Sequence, residues 1–168
     1  PLRPNLTVRG RDYADPLDGV EENIAYNAFL VGKSLLGMRV ADVLKAAAKV
    51  RADTKAARLV LCGRRDAALV VCFAAAVDPT IQAVAVEQMP LSYWPLFEAE
   101  GQAINAASIL PRMLRDFGDL AAVLNAIAPR KVLAAAATGK PDQPVANLDQ
   151  TDKRFTADAG VLIDWLKL

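Results

Sequence analysis

Residues 58–81 carry the pattern that most constrains how this chain folds. Arg58-Leu59-Val60-Leu61-Cys62 is a short apolar run ending at Gly63, which suits a buried strand. Residues 66–77, DAALVVCFAAAV, are good helix formers closed by Asp78-Pro79. Residues 81–86, IQAVAV, then read as a second strand. A strand, a covering helix and another strand in so short a span imply a parallel pair, because only a crossover connection returns the chain in the same direction.

The rest of the chain extends this alternation. Residues 1–20 are rich in Pro, Gly and Asp and read as an extended lead-in, with Asn5-Leu6-Thr7 as an incidental glycosylation tripeptide. From 21 to 50 an apolar face at helical spacing runs through Ile24, Phe29, Leu35, Leu36, Val40, Val43 and Leu44, with breaks near Gly32 and Gly37. Residues 88–117 look irregular. Asp119 is placed to cap a helix that Pro129 ends, and 131–136 make a third strand weakened by alanine. Thr156 is expected to cap a final helix with Val161, Leu162, Trp165, Leu166 and Leu168 on its apolar side. The expected fold is a three-layer α/β/α arrangement with a mostly parallel sheet.

Composition narrows the chemistry. The 168 residues contain no His, which excludes a Ser-His-Asp or Cys-His centre in this chain and any His-ligated metal. Lys and Arg number 20 against 19 Asp and Glu, so no basic field suggests a nucleic-acid partner. Cys62 and Cys72 sit in apolar surroundings and read as two buried thiols, too few for a zinc site. No apolar run reaches the roughly 18 residues of a membrane span. The chain opens with Pro1, as a processed or excised segment would, and no targeting signal is visible, which leaves the compartment open. Neither glycine motif holds phosphate. Gly63 lacks the further glycines of a dinucleotide loop, and Gly32-Lys33-Ser34 has Asn27 where a phosphate loop needs its first Gly. No cofactor is expected.

Strand, Gly, tight turn and small-residue helix is also the layout of a nucleophile elbow. The stretch 63–81, GRRDAALVVCFAAAVDPTI, resembles the elbow and following helix of α/β-hydrolases related to acetyl xylan esterases and dienelactone hydrolases. Leu110-Pro111-Arg112-Met113-Leu114, Ile127-Ala128-Pro129-Arg130-Lys131-Val132-Leu133 and Thr138-Gly139-Lys140-Pro141-Asp142 are similar to that family's approach to its seventh strand and its acid loop. Arg154-Phe155 with the helix to Trp165-Leu166 resembles its end, and Val40-Ala41-Asp42-Val43-Leu44 the helix before its elbow. The likeness spans about residues 23–168.

The resemblance puts the nucleophile position at Arg65, the acid at Asp142 and the base near Lys153. A guanidinium has no lone pair with which to attack. Loss of a nucleophile or base costs on the order of 10⁶ in turnover. Ser34, Ser92 and Ser108 are the alternative hydroxyls, and Lys153 with Ser92 makes a Ser-Lys pair on paper only. Two outcomes are open for Arg65: an ion pair with Asp142 across the sheet edge, or a solvent-facing side chain on a relaxed helix start. Tyr93 and Trp94 are candidate ligand contacts, with core packing as the competing role.

The family's sheet has eight strands, and the likeness places the fifth to seventh here, so residues 21–168 read as its C-terminal half. That leaves the first strand of this chain with an open edge. The expected partner is a chain carrying the N-terminal half, with residues 1–20 as a crossover, or a second copy in a homo-oligomer. The functional expectation is a degenerate hydrolase-like domain, a pseudoenzyme with a structural or binding role. The alternative is an esterase acting on acylated carbohydrate or small esters.

Overall fold

The computed structural model describes residues 19–95 and 108–167. Two helices come first, α1 (Gly19–Leu30) and α2 (Leu35–Thr54). The break falls at Gly32, whose φ of 69° suits glycine. The expected second break at Gly37 does not occur. Ser34 caps α2 by accepting the Gly37 N–H at 3.0 Å, so Gly37 lies in the first turn of a continuous helix. Arg39 of α2 and Glu21 of α1 form a largely buried ion pair that ties the two helices together.

Four strands follow: β1 (Val60–Arg64), β2 (Ala83–Glu87), β3 (Lys131–Ala135) and β4 (Leu148–Thr151). They pair in the order β1-β2-β3-β4, and every pair is parallel. The register sets Cys62 beside Ala85 and Ala85 beside Leu133. β4 was not expected from the sequence. Its LDQT has one apolar residue and lies at the sheet edge, so it carries no burial signature.

Helices cover both faces, which makes the fold a three-layer α/β/α arrangement. Helix α3 (Asp66–Val77), between β1 and β2, packs with α2 and with α5 (Leu120–Ile127) on one face. Val84, Val86, Val132 and Ala134 point into that core with Leu69, Ile81, Leu124 and Ile127. A one-turn helix, α4 (Met113–Asp116), lies in the stretch expected to be irregular. The last helix, α6 (Ala159–Lys167), covers the other face, where Trp165 packs on Ala83, Ala85 and Leu133 and donates its indole N–H to Asp149 of β4 at 2.7 Å.

Three expectations need correction. The lead-in assigned to 1–20 overlaps α1, which begins at Gly19, while residues 1–18 lie outside the described residues. Thr156 does not cap the last helix. Asp158 does so, accepting the Gly160 N–H at 2.9 Å, because Thr156 is engaged by Glu87. Cys62 is exposed and only Cys72 is buried. Helix α6 reaches over β2 and β3 but leaves the outer part of β1 uncovered, so the apolar neighbours of Cys62 do not enclose it.

Arg130 holds the floor of the sheet. Its guanidinium Nη1 donates to the carbonyl oxygens of Ala75 at 2.8 Å, Asp78 at 3.0 Å and Ile81 at 2.9 Å. A cation thereby satisfies the carbonyls at the end of α3 and fixes the turn into β2.

Candidate functional site

Three parallel strands end in the same way. Each of β1, β2 and β3 is followed at once by a non-glycine residue with positive φ: Arg65 at 53°, Gln88 at 56° and Ala136 at 46°. Each of these residues continues the ladder to the next strand. The Arg65 N–H donates to Glu87 O at 2.9 Å, Gln88 to Ala135 O at 2.9 Å and Ala136 to Thr151 O at 2.7 Å. Such conformations are sparsely populated and gather at functional sites. They line the carboxyl edge of the sheet, where open α/β folds bind their ligands.

The turn at Arg65 is the sharpest of the three. With φ 53° and ψ −124° it sends the chain from β1 straight into α3. Gly63 makes this approach possible, since a β-carbon there would stand 2.5 Å from the Ala67 carbonyl oxygen. The chain therefore enters α3 through a sparsely populated backbone conformation and not through an ordinary helix start. Its side chain is exposed, and among the described residues no ion pair joins Arg65 to Asp142. The expected pairing is absent.

Asp142 is also exposed and lines an open depression of about 510 Å³ with Lys140, Gln143, Leu148 and Gln150, to which Arg65 does not contribute. Lys153 is exposed, its backbone N–H donating to Thr151 Oγ1 at 3.2 Å. The three residues aligned with a triad are thus each exposed, and among the described residues no hydrogen bond or ion pair joins them to one another.

Glu87 is the carboxylate that the sequence reading passed over. It ends β2 beside Arg65 and is fully buried. The Thr156 hydroxyl donates to it at 2.6 and 2.8 Å, the Thr156 N–H at 2.9 Å, and Arg64 Nε lies 3.2 Å away. Burial pushes its pKa up, but the two Thr156 bonds and the charges of Arg64 and Arg154 outweigh burial and hold it below its ordinary value. A charged residue closing an apolar strand was the available signal.

The remaining candidates are engaged elsewhere. Tyr93 is 1% exposed and donates its hydroxyl to Ser108 O at 3.1 Å, so it belongs to the core and not to a ligand surface. Trp94 is 51% exposed. Ser92 donates to the buried Asp119 carboxylate, which also accepts the Tyr93 N–H at 2.8 Å and the Leu120 N–H at 2.7 Å. Asp119 therefore both caps α5 and anchors the segment after β2. Ser34 is a helix cap, and Ser108 is buried at 1% exposure. Burial pushes the Cys72 thiol up to about 12 and raises Cys62 as well. Among the described residues no group of His, Cys, Asp or Glu is arranged to hold a metal ion, and no helix is long and apolar enough to cross a membrane.

Compared with known families, curated proteins and solved structures, the chain matches none.

Proposed function

We propose that this chain is a catalytically silent α/β-hydrolase-like domain with a structural or binding role, completed at its β1 edge by another strand. The observation that carries this reading is Arg65. It occupies a strained strand-to-helix turn of the kind that presents a nucleophile, yet it offers a guanidinium to solvent.

No neighbour supplies the missing chemistry. A general base works best with a pKa near the operating pH. Glu87 is held ionised and fully bonded, and both thiols are shifted away from the thiolate. The three serines are a helix cap, a partner of Asp119 and a buried residue. Turnover of p-nitrophenyl acetate tests the reading. The expected rate equals that of protein-free buffer. Turnover that Asp142→Asn abolishes would instead establish the esterase alternative.

A further inference from the structure

The open edge of β1 has the composition of an interior strand. Val60-Leu61-Cys62-Gly63-Arg64 contains no Pro or Lys, and it pairs in regular register with β2. Its one charge, Arg64, is turned toward its own sheet, donating to Gln88 Oε1 at 3.0 Å and lying 3.2 Å from Glu87. Natural edges are normally blunted by Pro, Lys, a bulge or inward-pointing charge; β1 has no Pro, Lys or bulge, and its one inward charge sits at its end, which leaves Val60 to Gly63 without such a guard. Among the described residues no strand pairs with its outer side.

Alternation shows which groups are free. Leu59 O accepts from Gln82 and the Arg65 N–H donates to Glu87, so the odd-numbered residues of β1 face β2. The backbone groups of Val60, Cys62 and Arg64 therefore face outward.

We infer that this edge pairs with the same edge of a second copy, antiparallel about a two-fold axis through Cys62. This deepens the structural reading above, and rests on it, by naming the partner. Cys62 is the midpoint of β1, so full overlap of two copies sets Cys62 opposite Cys62. Val60 then lies opposite Arg64 and Leu61 opposite Gly63. The match is self-complementary: the partly exposed Leu61 meets a residue without a side chain, and no like charges face each other. Just outside the strand, the exposed Arg58 of one copy falls at the end where the other begins α3 with Asp66. The exposed Cys62, which α6 leaves uncovered, then lies at the centre of the contact.

In a hydrogen-bonded antiparallel pair the facing Cα atoms are about 5.5 Å apart. Dibromobimane, which alkylates two thiols at close range, tests the contact without an oxidant, and the buried Cys72 stays out of reach. The expected result is a fluorescent covalent dimer that Cys62→Ser eliminates, with sedimentation velocity showing dimer for both proteins. Cys62→Lys places two ammonium groups face to face, and should weaken the dimer by about tenfold or more while circular dichroism stays native. A wild-type monomer at all concentrations would overturn the proposal, as would a dimer indifferent to Cys62→Lys and not linked by the reagent. Neither result bears on ester turnover, so this proposal and the catalytic reading fail separately.

Discussion

A β-carbon on Gly63 would stand 2.5 Å from the Ala67 carbonyl oxygen and 2.8 Å from the Ala68 Cα, so the turn between β1 and α3 admits no side chain at that point. Both contacts are with backbone, which cannot swing aside. Gly63→Ala should therefore destabilise the protein by about 3 kcal/mol. Gly139→Ala, in open space with a φ of 74°, should cost only about 1 kcal/mol. Urea midpoints at constant m-value measure the difference.

Among the described residues no side-chain bond supports Arg65 in its strained conformation. Arg65→Gly should raise stability by about 1 kcal/mol, since relief of strain exceeds the added chain entropy. Arg65→Ala should be near neutral. A thermal melt that falls on Arg65→Gly would mean that the side chain holds the turn.

Glu87 makes stability depend on pH with a definite sign. Its folded pKa lies below the ordinary 4.5, so its contribution is full above that value and is lost as pH falls through the folded pKa. Thr156→Val removes the hydroxyl bonds at 2.6 and 2.8 Å. The variant should lose about 1–2 kcal/mol at neutral pH and unfold in acid at a higher pH than the parent. Acid titration followed by tryptophan fluorescence reads both effects.

Arg130 joins three carbonyls that no other side chain satisfies among the described residues. Arg130→Ala should cost about 3 kcal/mol, because buried acceptors at the end of α3 lose charge-assisted bonds. Arg130→Lys should recover only part of this, since the shorter lysine side chain brings its ammonium short of the Nη1 position that serves all three carbonyls. Chemical denaturation of both variants checks the order.

What was legible in the sequence follows from local physics. The β1–α3–β2 unit was readable because apolar runs, Gly63 and Asp78-Pro79 each act within a few residues. The cap at Asp119 was equally local, but its hold on Ser92 and Tyr93 depends on a distant segment. β4 escaped because an edge strand such as Leu148–Thr151 needs no apolar pattern. Thr156 and Cys62 were misread for one reason. The partner of Thr156 lies 69 residues away, and the environment of Cys62 depends on how far α6 extends over the sheet. The site followed the same division. The strained turn at Arg65 is signalled by its local sequence, whereas the lack of an ion pair between Arg65 and Asp142 and the burial of Glu87 are set by the assembled chain.

The proposed reading has the strained turn at Arg65, in a chain with no histidine, performing no acyl transfer. The most direct test is steady-state hydrolysis of p-nitrophenyl acetate by the purified chain beside Asp142→Asn. Both proteins are expected to give the buffer rate. Saturable turnover by the parent that disappears in Asp142→Asn would contradict it.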